Sequence, residues 1–241
     1  LELLMKNIVF LTSMIVSLLP VSSFGEPPMV SPDVQPDGRV IFRFRAPNAV
    51  KVEVSIEGQG PNIAMQKNDI GIWTATVGPL RPDIYGYSFV ADGISVIDPS
   101  NQLMKPNLLS TQSAVHIPGA SLPWEVADVP HGEIHHHFYH SKIAGDDRDF
   151  YVYTPPGYNP RAKQEYPVLY LLHGFSDGAD GWTAVGRANV ILDNLISQGK
   201  AKPMIVVMPL GYGDLELLRG GWDARKGKEL PRRNLTKFTS T

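Results

Sequence analysis

The hydrophobic pattern changes period part-way along the chain, and that change restricts the fold more than any other feature. From Arg39 to about Ile117, apolar side chains recur at every second residue. In "VKVEVSIEG", Val50, Val52, Val54 and Ile56 share one face, with Lys51, Glu53, Ser55 and Glu57 opposite. "RVIFRFRAP" sets Val40, Phe42 and Phe44 against Arg39, Arg43 and Arg45. "DIYGYSFVADG" aligns Tyr85, Tyr87 and Phe89 and then runs into an Asp92-Gly93 turn. A period of two is the pattern of a strand with one buried face. Asn68-Asp69, Gly71 and Gly78-Pro79 punctuate the runs as turns do. No helical window competes, so the expected fold is a small antiparallel β-sandwich. Trp73, Tyr85 and Tyr87 sit on alternating strands, where aromatic side chains mostly pack a core. A sugar-stacking platform is the minority reading of these three.

Past a Pro- and Gly-rich stretch, Pro118 to Gly132, the pattern is different. "DFYVYTPPGY" reads as a strand ending in a Pro-Pro turn. "YPVLYLLHG" is a continuous apolar run, the expectation for a strand buried on both faces. "GRANVILDNLISQG" has helical spacing through Val190, Ile191, Asn194, Leu195 and Gln198, with Gly199 as its stop. "PMIVVMP" reads as a second buried strand. Strand, helix, strand predicts a βαβ unit with parallel pairing and a right-handed crossover. "HGEIHHHFYH" holds three consecutive histidines, which alternate faces in a strand. Only His135 and His137 share a face, and no carboxylate stands at ligand spacing. A solvated strand is expected there, with no metal.

At the other end, Lys6 is followed by an apolar run from Ile8 to Leu19, then Pro20 and small residues. That run is short for a bilayer span and fits a secretory signal cleaved near Ser23-Phe24-Gly25, with Leu1 to Leu4 preceding the Met5 that would start it. The expected division is a signal over 1–25, a sandwich over 26–118, a linker over 119–132 and an α/β region over 133–241. A secreted or periplasmic location follows, with no stable membrane insertion after cleavage. The net charge of −2 offers no electrostatic reason to bind nucleic acid. The absence of cysteine excludes disulfides and thiolate catalysis.

Gly174-Phe175-Ser176-Asp177-Gly178 fits G-x-S-x-G, the pattern of a serine-hydrolase nucleophile elbow. Three features weigh against Ser176 as a nucleophile. A Gly- and Asp-rich stretch, "SDGADGW", separates it from the expected helix, where an elbow would enter the helix at once. His173 is the last histidine in the chain, so no base follows in the Ser…Asp…His order. His173-Gly174 directly after a buried strand instead fits the loop that gives a backbone N–H to an oxyanion hole.

"RDFYVYTPPGY", "YPVLYLLHG", "GRANVILDNLISQGKAKPMIVVMP" and the earlier "ISVIDPSNQLMKPN" together resemble the enterochelin-esterase and feruloyl-esterase group of α/β-hydrolases. The resemblance covers most of the chain after Pro36. It implies an immunoglobulin-like early-set β-sandwich followed by the N-terminal part of an α/β-hydrolase domain. It implies a secreted serine carboxylic-ester hydrolase acting on feruloyl, acetyl or similar esters of carbohydrate, with no cofactor. The partner is then a small ester or an esterified polysaccharide. Phe175 would give the oxyanion N–H, and Gly174 would let the backbone approach the substrate. Asp177, Asp180 and Trp182 would line the pocket, with packing at the start of the helix the alternative for Trp182, and His173 would mainly shape its loop. Leu210 and Gly211, in the stretch to Asp214, would border the site. The family's nucleophile, acid and base all come later than "VVMP", so the chain is expected to be a fragment without a triad. A siderophore esterase and a non-catalytic carbohydrate-binding protein are the alternatives.

Overall fold

The computed structural model describes residues 29–213 and 215–218. The expected signal, 1–25, lies outside them. Ten strands come first: β1 (Asp33–Val34), β2 (Val40–Arg45), β3 (Val52–Ile56), β4 (Ile63–Ala64), β5 (Gln66–Lys67), β6 (Ile72–Val77), β7 (Asp83–Ala91), β8 (Ile94–Val96), β9 (Met104–Lys105) and β10 (Gln112–Ile117). They form one sheet in the order β1-β2-β6-β5 and another in the order β4-β3-β7-β10-β9, with β8 beside β7. Every pairing in both is antiparallel.

The two sheets share one core. Val40, Phe42 and Phe44 of β2 and Trp73, Ala75 and Val77 of β6 meet Val52, Val54 and Ile56 of β3, Tyr87 and Phe89 of β7, and Val115 and Ile117 of β10. Phe44 stacks on Phe89 with ring centroids 4.6 Å apart, and Phe42 tilts against Tyr87 at 4.8 Å. Burying each such side chain contributes about 1.5–3 kcal/mol. Trp73 and Tyr87 are core residues, and Trp73 Nε1 donates to the Ala46 carbonyl at 2.8 Å. Tyr85 is half-buried. One expected core residue is outside: Val50 is 88% exposed. The Val50 and Lys51 amides donate to the Asp92 carboxylate at 3.1 and 2.8 Å, so that segment is a turn and β3 starts at Val52.

A third sheet follows: β11 (Glu133–Ser141), β12 (Asp146–Thr154), β13 (Val168–Tyr170) and β14 (Ile205–Pro209), ordered β11-β12-β14-β13. Only β13 and β14 are parallel, joined through α1 (Gly181–Ala184) and α2 (Ala188–Ser197). Its core is Tyr153, Val206 and Met208, packed by Tyr151, Leu171, Trp182, Leu192 and Met204. Helix α2 ends as expected. Gly199 takes φ +66°, its N–H reaches the Ile196 carbonyl, and the Lys200 N–H reaches that of Leu195, which is a Schellman closure.

One expectation for this region is corrected. Strand β13 is not buried on both faces: Val168, Leu169 and Tyr170 are 51%, 43% and 69% exposed. It ends the sheet order, and among the described residues only β14 pairs with it. Helix α2 buries Ala188, Asp193 and Asn194, while Val190, Ile191 and Leu195 are half-buried. Leu192 packs on the third-sheet core, and beside it the buried Asp193 and Asn194 hold backbone. Asn194 Nδ2 donates to the carbonyls of Pro123 and Glu125, both at 2.8 Å, and the Asp193 carboxylate accepts from the Gly132 N–H at 2.9 Å. Among the described residues, no helix is long and apolar enough to cross a membrane.

Candidate active site

The loop after β13 leaves the sheet at its carboxyl edge, where ligands of open α/β sheets bind. The Leu171 N–H continues the ladder to the Val207 carbonyl at 2.9 Å, and then the chain turns. His173 fixes the turn. Its Nδ1 lies 2.7 Å from the Gly174 carbonyl, and its Nε2 accepts from the Gly211 N–H at 2.9 Å. These two contacts assign the neutral Nδ1–H tautomer. His173 therefore ties the loop after β13 to the loop after β14, the shaping role expected of it.

The second loop is held from below. Arg148 on β12 is buried, bonds Asp146 at 2.6 and 3.0 Å, and donates to the carbonyls of Leu210 and Tyr212. The Leu210 N–H donates to the Asp149 carbonyl at 3.0 Å. So held, Tyr212 brings its ring to 4.6 Å from that of His173 and donates its hydroxyl to the Gly174 carbonyl at 3.1 Å. Burial pushes the Tyr212 phenol above its ordinary value. The Asp177 charge adds to this, and a hydrogen bond from the Ser176 backbone offsets part of it.

Ser176 has no exposed surface and takes φ +67°, a left-handed conformation that a serine adopts at a cost. Asn107, in the β9–β10 turn of the sandwich, donates through Nδ2 to Ser176 Oγ at 2.9 Å and to Asp177 Oδ1 at 3.1 Å. The Leu108 N–H donates to the Ser176 carbonyl at 2.7 Å. As it stands, the Ser176 hydroxyl can meet no substrate. Nor does it meet a base, since both His173 ring nitrogens are bonded elsewhere.

The residues expected to line the site are placed as follows. Gly174 is exposed, and a Cβ there would lie 3.0 Å from Asp177 Oδ2. Phe175 is half-buried beside it. Trp182 sits in α1 rather than at the start of α2, donates Nε1 to the Leu172 carbonyl at 2.8 Å, and packs on the third-sheet core. Asp180 is the residue before α1 and makes no side-chain cap bond. Sequence reasoning missed Arg148 and Asn107. The only trace of Asn107 was its place in "QLMKPN", and Arg148 had none beyond "RDFYVY".

The histidine run lies on β11, away from this loop. His136 Nε2 lies 2.7 Å from Asp149 Oδ2, and its ring stacks on Tyr151 at 3.9 Å. His137 stacks on Phe150 at 4.9 Å, and His135 and His137 have ring centroids 6.4 Å apart. The His136–Tyr151 and His137–Phe150 contacts are cross-strand pairs of an exposed strand, and His135 and His137 are neighbours along one face of it.

The model of the Esterase family matches residues 141–238, the stretch that holds the His173 loop and the third sheet except most of β11. A curated relative, the endo-1,4-beta-xylanase/feruloyl esterase of Xylanibacter ruminicola, is 36% identical over 198 residues. The segment from 141 to 238 belongs to the esterase family. That relative is matched over 78% of this chain, and the chain spans 27% of the relative's length. Among solved structures, the enterobactin esterase of Shigella flexneri is 19% identical with a TM-score of 0.51, over 71% of this chain and 50% of that one. It shows likeness of fold. A ferulic acid esterase from Anaeromyces mucronatus is 31% identical with a TM-score of 0.34, over 37% of this chain and 32% of that one.

Proposed function

We propose that this chain, through its esterase-family segment, supplies the oxyanion-binding part of a serine carboxylic-ester hydrolase. Its substrates are feruloyl, acetyl or similar esters of carbohydrate, and it works outside the cytoplasm. On this reading the sandwich is an immunoglobulin-like early set, and the third sheet is the first part of an α/β-hydrolase region. The observation that carries the proposal is the His173-Gly174-Phe175 turn at the carboxyl edge of β13, pinned to the β14 loop through His173 and Tyr212. The 36% identity to a feruloyl esterase relative supports the substrate class.

The chemistry needs a fixed donor where charge develops. When a hydroxyl attacks the ester carbonyl, a base takes its proton, a new C–O bond forms and the carbonyl π pair moves onto oxygen. The Phe175 N–H donates to that oxyanion, and Gly174 adds no side chain to obstruct the approach. Collapse re-forms the carbonyl and breaks the ester C–O bond, the departing alkoxide takes the proton back from the base, and water then releases the acyl group by the same steps. The nucleophile and base are not among these residues: Ser176 is buried and His173 is committed to its loop.

The 241-residue chain should hydrolyse neither p-nitrophenyl acetate nor methyl ferulate above buffer. Residues 29–241, joined to the part of the Xylanibacter relative that follows its matched stretch, should turn over methyl ferulate. In that chimera Phe175→Pro should lower kcat by about 10²–10³. Ser176→Ala loses the Asn107 bond to its hydroxyl but keeps the Leu108 bond to its carbonyl, so it should lower kcat about tenfold, far short of the loss a missing nucleophile gives. Turnover by the 241-residue chain that Ser176→Ala abolishes would make Ser176 the nucleophile and end this reading.

A further inference from the structure

We propose that Asn107 is a positioning residue of the ester site, so that the sandwich helps to build the oxyanion loop rather than merely preceding it. The proposal rests on the reading of Gly174–Asp177 as that loop. Asn107 is wired on both ends. Its Oδ1 accepts from the Leu109 and Ser110 N–H groups at 3.0 and 3.1 Å, which rigidifies its own turn. Its Nδ2 donates to Ser176 Oγ and Asp177 Oδ1, 69 and 70 residues away in sequence. The amide orientation is settled by this pattern, because one end meets only backbone donors and the other meets a carboxylate. The neighbouring Leu108 N–H takes the Ser176 carbonyl. Three bonds from one sandwich turn thus converge on the two residues after Phe175.

Ser176 shows why the tie matters. A non-glycine residue at φ +67° persists only where its surroundings over-determine it. Here those surroundings include the sandwich turn, on the hydroxyl and on the carbonyl. The plane of the Phe175–Ser176 peptide is set by the same residue, so releasing Ser176 lets the preceding N–H groups wander from the aim the reaction requires. An error of about 1 Å in such placement costs on the order of 10² in rate.

Two variants separate this tie from local turn stability. Asn107→Ala removes both ends. Asn107→Asp keeps the acceptor for Leu109 and Ser110 but removes the donor and places a charge against Asp177. Hydrogen exchange at residues 174–177 of the 241-residue chain should accelerate at least about tenfold in both variants, with the β7 and β10 amides unchanged. In the chimera, Asn107→Asp should lower kcat about ten- to a hundredfold with KM changed less than about threefold, the mark of a transition-state contact. Unchanged exchange at 174–177 in both variants overturns the proposal, even where Phe175→Pro still lowers kcat and the oxyanion reading stands. Faster exchange with kcat intact also overturns it, leaving Asn107 a structural tie. If Phe175→Pro is then harmless as well, the oxyanion reading itself has failed.

Discussion

Asp193 holds more of the third-sheet region than its place on a helix suggests. It is 2% exposed, and its carboxylate accepts from the Gly132 N–H at 2.9 Å and the Tyr153 hydroxyl at 2.7 Å, with His131 Nδ1 at 3.0 Å. Burial raises the Tyr153 phenol and the Asp193 hydrogen bond raises it further, so it stays a donor through the physiological range. Asp193→Ala would leave the buried Tyr153 hydroxyl and the Gly132 N–H unpaired. Unsatisfied donors of this kind cost about 1–3 kcal/mol each. Urea unfolding should therefore show a loss of about 2–4 kcal/mol for Asp193→Ala, and a smaller loss for Asp193→Asn, which keeps an acceptor oxygen. Equal midpoints for wild type and Asp193→Ala would refute this account of α2.

At the scale of elements, strand β10 is joined to the 119–132 stretch by Glu125. Its Oε1 lies 2.8 Å from His116 Nε2 on β10 and accepts from the Gly119 N–H at 3.1 Å. Burial alone would raise this carboxyl, but the His116 and Gly119 bonds outweigh it and hold it below its ordinary 4.5. A carboxyl lowered in the folded state stabilises above its unfolded value, and loses that contribution as pH falls through the folded one. The unfolding midpoint should thus fall between about pH 5 and pH 3, and Glu125→Gln should flatten that fall. A slope identical in the two proteins counts against the tie. The strands of the sandwich were legible because alternation reports a half-buried face directly: Val40, Phe42 and Phe44 are all buried. Val50 misled because alternation cannot register the Asp92 carboxylate that bends its segment out of the ladder. The apolar run of β13 told its composition but not its place at the end of a sheet. On α2 the helical spacing was right, but the most buried side chains include Asp193 and Asn194, since a pattern of apolar residues does not show where a backbone needs partners. At the site, the His-Gly turn was visible as a motif, whereas Asn107 and Arg148 act across folds of the chain that no local pattern records.

For the whole molecule, the buried core of the sandwich is made of residues from 40 to 117, and the strands of both its sheets lie between 33 and 117. We expect residues 29–118, expressed alone, to melt cooperatively with a β-type circular dichroism spectrum. A featureless melt with coil-like dichroism would place the boundary elsewhere. The third sheet presents the opposite case, with Val168, Tyr170 and Leu172 exposed at 51%, 69% and 61% and a free strand edge among the described residues. An exposed apolar edge of that kind recruits other strands.

The β9–β10 turn sets a rule for recombination between relatives. Its Asn107 and Leu108 reach residues 176 and 177 of the other region, so the two halves are not interchangeable parts. Grafting a foreign sandwich at the 119–132 stretch would respect every strand and still sever the contact. Domain shuffling in such a lineage would succeed only where the six-residue turn from 106 to 111 travels with the recipient's own ester loop. Length changes in that turn would be selected together with changes at Ser176, two distant stretches inherited as one.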